Sequence, residues 1–203
     1  MRKLLLGLAP LLAVVAFIAV PAGAQAATRE YGTENAKGVF KAFTKATKVT
    51  DAKVSANFRL ENEAKTADIE CTTFSSEGTD ENVGGIGKSK EVLTFDDCEG
   101  TGLLAGCVPN GTGIIKGEVT NEVLASGTEV EIKIAAGVQF DVECFGMNLG
   151  GVSGKAIGTQ PAKSNVTTFA ESKGLVFLGE PSTITGAAET KTKAATPKNV
   201  VIN

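Results

Sequence analysis

Beyond residue 50 the chain alternates apolar and polar residues in short runs, and glycine-rich breaks separate these runs. The run Phe140-Asp-Val-Glu-Cys144 shows the alternation, and Val83-Gly-Gly85 and Leu149-Gly-Gly151 show the breaks. Alternation with period two sends successive side chains to opposite faces of a β-strand. Many short strands with almost no helical pattern between them are typical of an antiparallel β-sandwich or barrel. We therefore predict an all-β fold of about ten short strands.

The predicted strands cover residues 53–61, 67–75, 91–96, 112–120, 128–135, 138–145, 152–158, 165–170, 175–178 and 182–187. We expect a single β-rich domain in residues 27–190, because the length suits one domain. Residues 187–198 are rich in Ala, Thr and Lys, and we expect a loose C-terminal tail or an edge strand over residues 191–203.

Residues 34–47 depart from this pattern and have helical periodicity. On a helix, the lysines gather on one side and apolar residues on the other: Lys37, Lys41, Lys45 and Lys48 against Ala36, Val39, Phe40, Phe43 and Ala46. We predict one short N-terminal amphipathic helix near residues 34–47, weakened by Gly38. Its lysine face is either an ordinary solvated surface, which we favour, or a contact for an anionic membrane or wall polymer.

Residues 1–26 are predicted to be a signal peptide. Arg2 and Lys3 precede the apolar run Leu4–Val20, and Ala24-Gln-Ala26 matches the small-residue cleavage signal. After removal of this segment we expect no transmembrane segment, because no later run is long and apolar enough to span a bilayer. The predicted location is therefore outside the cell or at its surface.

The four cysteines are Cys71, Cys98, Cys107 and Cys144. An even number in a chain predicted to be exported indicates two disulfides, for which three pairings are possible. We favour Cys98 with Cys107, across a short glycine-containing segment, and Cys71 with Cys144, which lie in similar strand-like pieces. A metal site of four thiolates is disfavoured, because the paired C-x2-C spacing is absent.

The chain has no histidine, and this excludes several kinds of chemistry. Histidine is the commonest metal ligand and a frequent general base, so Ser-His-Asp and Cys-His catalysis and His-ligated metal sites are ruled out. With 20 Lys and Arg against 23 Asp and Glu, the chain is net acidic, and we expect no nucleic-acid partner. We predict no cofactor and no catalytic residue.

Residues 80–91 match part of a calcium-binding loop. Asp80, Asn82 and Glu91 occupy loop positions 1, 3 and 12, where oxygen ligands are required. Position 5 is Gly84, where Asp or Asn is expected. We therefore favour a glycine-rich connection between strands and keep a calcium-binding module as an alternative.

A hydrolase that uses carboxylates alone is the other alternative, because glycoside hydrolysis needs only two of them. Glu70 and Glu143 would lie side by side if Cys71 and Cys144 were bonded. Sugar-binding sites usually offer aromatic platforms, however, and the chain has no Trp and one Tyr. We favour surface charges over a catalytic pair.

Several cysteine and turn motifs follow one another along the chain: Ile69-Glu-Cys71-Thr, Leu93-Thr-Phe95-Asp-Asp-Cys98, Gly106-Cys107-Val, Gly113-Ile-Ile-Lys-Gly, Phe140-Asp-Val-Glu-Cys144 and Gly151-Val-Ser-Gly-Lys. Together they resemble a broad group of exported, β-rich, disulfide-containing proteins of high-GC actinobacteria, whose function is uncharacterised. The resemblance covers roughly residues 55–170 and implies a bacterial, exported protein. It implies no activity for any residue.

We expect an exported, non-enzymatic β-domain with a binding or structural role. Its partner would be a surface or extracellular ligand of unknown identity, and the protein would be secreted or held at the bacterial cell surface.

Overall fold

The computed structural model of the protein describes residues 29–54, 56–134 and 140–203. The predicted signal peptide, residues 1–26, lies outside the described residues. The strands are β1 (Tyr31–Glu34), β2 (Phe40–Ala42), β3 (Thr47–Lys53), β4 (Phe58–Asn62), β5 (Ala67–Val83), β6 (Ile86–Gly102), β7 (Ile115–Val123), β8 (Glu129–Ile134), β9 (Phe140–Cys144), β10 (Met147–Thr159), β11 (Val166–Phe177), β12 (Glu180–Thr192) and β13 (Val200–Ile202). One turn of 3₁₀ helix covers Pro109–Gly111.

Ten of these strands form one antiparallel sheet that closes on itself. Strand β5 pairs with β6, and the pairing continues through β7, β8, β10, β11 and β12 to β3, which pairs with β5 again. Strand β4 continues the line of β3, because it also pairs with both β12 and β5. Strand β9 pairs with the first half of β10. The predicted all-β antiparallel class is confirmed, and the closed pairing makes the sheet a barrel.

A long hairpin of β5 and β6 determines the first disulfide. Its two-residue turn consists of Gly84 and Gly85, both with positive φ, as a type I′ hairpin turn requires. Counting outward from this turn, one residue per strand at each step, brings Cys71 opposite Cys98. Their Cα atoms are 4.0 Å apart and the two cysteines are bonded.

The second disulfide joins Cys107 to Cys144. The segment after β6 folds back, and the amide of Gly100 donates to the carbonyl oxygen of Cys107 at 2.9 Å. Three residues further on, the side-chain oxygen of Asn110 accepts from the amide of Glu143 on β9 at 2.8 Å, which holds this segment beside β9. The predicted pairing of Cys98 with Cys107 and of Cys71 with Cys144 is therefore wrong, because the register of the hairpin places Cys98 opposite Cys71.

The predicted helix near residues 34–47 is also wrong, since strands β1 and β2 form a hairpin there. The side-chain oxygen of Asn35 accepts hydrogen bonds from the amides of Lys37 and Val39, at 2.8 and 3.1 Å. Gly38 has a φ of 71°, the left-handed conformation that glycine adopts readily in turns. Asparagine and glycine thus favour a turn, which overrides the helical spacing of the lysines.

A three-stranded sheet of β13, β1 and β2 covers one end of the barrel, which we name the capped end. The side chain of Asn82, near the tip of the β5–β6 hairpin, attaches it. Its oxygen accepts from the Tyr31 amide at 2.8 Å, and its nitrogen donates to the carbonyl oxygens of Tyr31 and Phe43 at 2.9 and 3.1 Å. For residues 191–203 we expected a loose tail or an edge strand. They contain the end of β12 and the strand β13, which lies at the edge of this small sheet.

Within the described ranges, no helix is long and apolar enough to cross a membrane.

Candidate functional site

The closed sheet surrounds an interior cavity of about 120 Å³. Five phenylalanines contribute to its apolar lining: Phe58, Phe74, Phe95, Phe140 and Phe169. The ring centroid of Phe58 lies 4.5 Å from that of Phe74 and 5.4 Å from that of Phe95, so these rings form a continuous aromatic wall. The closed ring has eight strand positions, because β4 continues the line of β3 and β9 lies off the ring. The interior of an eight-stranded closed sheet is just wide enough for side chains or for one small ligand. The cavity is therefore where this fold can enclose a ligand.

Glycines on the strands give these rings their space. A Cβ atom at Gly117 would lie 2.8 Å from the ring of Phe140, and one at Gly186 would overlap the ring of Phe58. Larger residues at these positions would push the aromatic side chains out of place, because cores are closely packed. The glycines at these two positions thus leave the space that the two rings occupy.

Three acidic side chains lie at the capped end of the cavity, which is otherwise largely apolar. Asp51 on β3, Asp80 on β5 and Glu91 on β6 are 9%, 2% and 5% exposed. Strand alternation turns them inward, because Asp51 shares a face with the buried Val49, and Glu91 shares one with the buried Leu93. Acidic residues are almost never this buried unless they are paired, so this cluster is the most unusual feature of the interior.

A hydrogen-bond network joins two of these acids. The hydroxyl oxygen of Ser76 lies 2.7 Å from Asp51 Oδ2 and 2.9 Å from Glu91 Oε2. Glu91 Oε1 accepts from the hydroxyl of Ser89 and from the side-chain amide of Asn121, each at 2.7 Å. Glu91 is thus hydrogen-bonded through both of its oxygens.

The network requires a protonated carboxyl group. The hydroxyl of Ser76 has one proton and cannot donate to two carboxylates at once. Burial raises the pKa of Glu91 well above its ordinary value of 4.5, and the charge of Asp51 raises it further. This raised pKa favours the neutral form of Glu91, in which Oε2 can donate to Ser76 while the Ser76 hydroxyl donates to Asp51. Burial, followed by the charge of Asp51, also raises the pKa of Asp80 well above 3.8.

Tyr31 of β1 extends from the cap into this end of the cavity. A Cβ atom at Gly87 would lie 2.8 Å from the Tyr31 ring and 2.9 Å from Val123, so the glycine makes room for the ring. Burial raises the pKa of the Tyr31 hydroxyl well above its ordinary value of 10, and the negative charges that Asp80 and Glu91 carry once they ionise raise it further. The hydroxyl group therefore stays protonated.

The structure separates Asn82 from the other two residues of the calcium hypothesis. Residues 80–91 form the tip of the β5–β6 hairpin, and Asp80 and Glu91 both turn inward. Asn82 instead uses its side-chain amide to hold the cap. In the described ranges, no group of three or more acidic, cysteine or histidine side chains is arranged to hold a metal ion.

The hydrolase hypothesis depended on a disulfide between Cys71 and Cys144, which does not form. Glu70, on β5, accepts a hydrogen bond of 2.5 Å from the side chain of Asn57. Glu143, on β9, is exposed. Neither residue is among those that line the cavity.

Sequence reasoning missed Asp51, Ser76, Ser89 and Asn121 as interior residues. A signal was present on β6, where Ser89 and Glu91 share the alternation of Leu93 and therefore face inward with it. For Asp51 and Asn121, only the pairing of β3 with β5 and of β6 with β7 shows that they approach the same cluster.

Comparisons of the chain with protein-family models, with curated proteins and with solved structures find no match.

Proposed function

We propose that the protein is an exported bacterial binding protein that holds a small, mainly apolar molecule inside its closed sheet. The observation that carries this proposal is the interior cavity of about 120 Å³ with its wall of phenylalanines. Engineered apolar cavities of about 150 Å³ bind benzene or xenon. A single aromatic ring is therefore the size of ligand that the cavity favours.

The two disulfides support the extracellular part of the proposal, because disulfides form and persist in oxidising compartments. The signal peptide predicted for residues 1–26 and the resemblance to exported actinobacterial proteins agree with it. We infer no enzymatic activity. We assign the carboxyl groups of the interior to shaping the cavity and to recognising its ligand.

Thermal unfolding with and without toluene tests the proposal. A ligand that binds only the native state adds about 1.4 kcal/mol of stability at ten times its Kd. For a domain of this size, that corresponds to a rise in Tm of about 3 to 5 °C. The absence of any rise at saturating toluene would contradict the proposal.

Filling the cavity provides the matched variant. Ala156, on β10, is buried and lines the cavity, whereas Ala170, on β11, is exposed. We expect Ala156→Leu to abolish the effect of toluene on Tm and Ala170→Leu to retain it. Ala188→Leu, at a second lining position, serves if the first variant does not fold. If the cavity-filling variants keep the effect of toluene on Tm, toluene binds outside the cavity and the proposal is wrong.

A further inference from the structure

Two acceptor atoms of the cavity lining have no hydrogen-bond partner among the described residues: Asp51 Oδ1 and Asn121 Oδ1. Both residues are more than nine-tenths buried, with exposures of 9% and 8%, and both line the interior cavity. A buried acceptor without a donor loses the hydrogen bonds that water gave it in the unfolded chain and therefore destabilises the fold. The two atoms therefore favour an occupant that brings donors.

The charge at the capped end favours a cationic donor. Ser76 donates to Asp51, which leaves the negative charge of the pair on Asp51 when Glu91 is protonated. Among the ion pairs of the described residues, none contains Asp51, Asp80 or Glu91. Buried charges in proteins are normally paired.

A primary ammonium group fits both observations. It carries a positive charge, has three donors and has no acceptor of its own. A hydroxyl group would offer one donor and no charge, so it would match the two free acceptors less well. The rest of the cavity is apolar and has room for about one ring.

We propose that the cavity binds a small apolar primary amine, with the ammonium group at Asp51 Oδ1 and Asn121 Oδ1 and the apolar body among the phenylalanines. This inference rests on the proposed function, because it names the chemical class of the ligand for the same cavity.

Three probes of similar shape and different head groups test the inference: benzylamine, benzyl alcohol and toluene. Their Kd values for the full protein are measured by NMR titration at neutral pH. We expect benzylamine to bind at least tenfold more tightly than toluene, with benzyl alcohol between them. The side-chain amide resonances of Asn121 are expected to shift with benzylamine and to shift little with toluene.

Asp51→Asn removes the negative charge and keeps the shape of the side chain. We expect this variant to lose the preference for benzylamine and to keep the Kd for toluene. Glu81→Gln is the matched control, because Glu81 is exposed on the same hairpin as Asp80 and its loss changes the net charge equally. The control is expected to behave as the wild type. The Asn121 resonances of the wild-type protein carry the test if Asp51→Asn does not fold.

The outcomes separate the two proposals. Toluene binding without any preference for benzylamine overturns the amine inference and leaves the proposed function in place. No binding of any probe overturns both. A preference for benzylamine that persists in Asp51→Asn, or that leaves the Asn121 resonances unchanged, overturns the assignment of the ammonium position.

Discussion

At the residue scale, Glu91 is the side chain whose protonation matters most. It is 5% exposed and accepts two hydrogen bonds on one oxygen while its other oxygen faces Ser76. Gly78, directly across on β5, gives it room, because a Cβ atom there would overlap the Glu91 side chain. A glutamine would reproduce the neutral form, since its amide oxygen can accept both bonds and its amide nitrogen can donate to Ser76.

We predict that Glu91→Gln reduces the loss of stability that occurs at rising pH. The folded-state pKa of Glu91 is raised, so its contribution is fully present below the ordinary value of 4.5. The contribution is lost as the pH rises from there through the folded-state pKa. Urea unfolding at pH 5 and pH 8 measures the difference, and the variant is expected to show the smaller decrease in the free energy of unfolding.

Glu81→Gln provides the control for this experiment, because Glu81 is exposed on the same hairpin. Asp80 remains in both proteins and retains its own pH dependence of the same sign, since its pKa is also raised. The slope should therefore decrease without reaching zero. Equal decreases in wild type and Glu91→Gln would show that Glu91 does not fold in its neutral form.

At the element scale, the β5–β6 hairpin organises the molecule. Each strand has 17 residues, and the two-residue turn at Gly84 and Gly85 sets the register of the whole pair. A shift by one residue would turn the inward side chains of a strand outward. The Cys71–Cys98 disulfide joins the hairpin far from its turn and secures that register.

We predict that the double variant Cys71→Ser/Cys98→Ser lowers the free energy of unfolding by about 3 to 4 kcal/mol, mainly because the unfolded chain gains freedom. The double variant Cys107→Ser/Cys144→Ser should lose a similar amount, because the sequence separations are 27 and 37. Urea unfolding measures both, and each variant should retain the other disulfide intact.

Mass spectrometry of the unreduced, proteolysed protein checks the pairing itself. A peptide that joins Cys71 to Cys98 is expected. A peptide that joins Cys98 to Cys107 would contradict the hairpin register described above.

At the scale of the whole molecule, residues from both ends of the described chain close the barrel. Strands β1 and β13 pair with each other, and Tyr31, Val200 and Ile202 pack with Val49 and Val123 of the barrel. The cap thereby covers the acidic end of the cavity. The stability of the cap and the stability of the barrel should therefore be linked.

We predict that deletion of residues 200–203 lowers the free energy of unfolding by more than about 4 kcal/mol. Val200, Val201 and Ile202 are 0%, 3% and 0% exposed, and each buried aliphatic side chain contributes about 1.5 to 3 kcal/mol. Urea unfolding of the truncated protein measures the loss. A control with Ala195→Ser, at an exposed position, should unfold as the wild type does. A truncated protein of wild-type stability would show that β13 is not part of the folded unit.

Sequence reasoning succeeded where the signal was local. All ten predicted strand segments overlap strands of the ten-stranded sheet, and the segments 165–170 and 175–178 belong to one strand, β11. It failed near residue 38, where one glycine in a turn reversed the interpretation of the lysine spacing. The candidate site was predicted only in part, because Asp80 and Glu91 were singled out for a metal site and Asp51 was missed.

The sequence by itself determined the all-β class, the presence of two disulfides and the exclusion of histidine chemistry. Alternation, glycine turns and composition are properties of neighbouring residues or of the whole composition, so they can be read without a structure. The tertiary structure decided the disulfide partners, the closure of the sheet and the meeting of three acidic side chains in its interior. These depend on which strands pair, and pairing joins residues that are far apart in the chain.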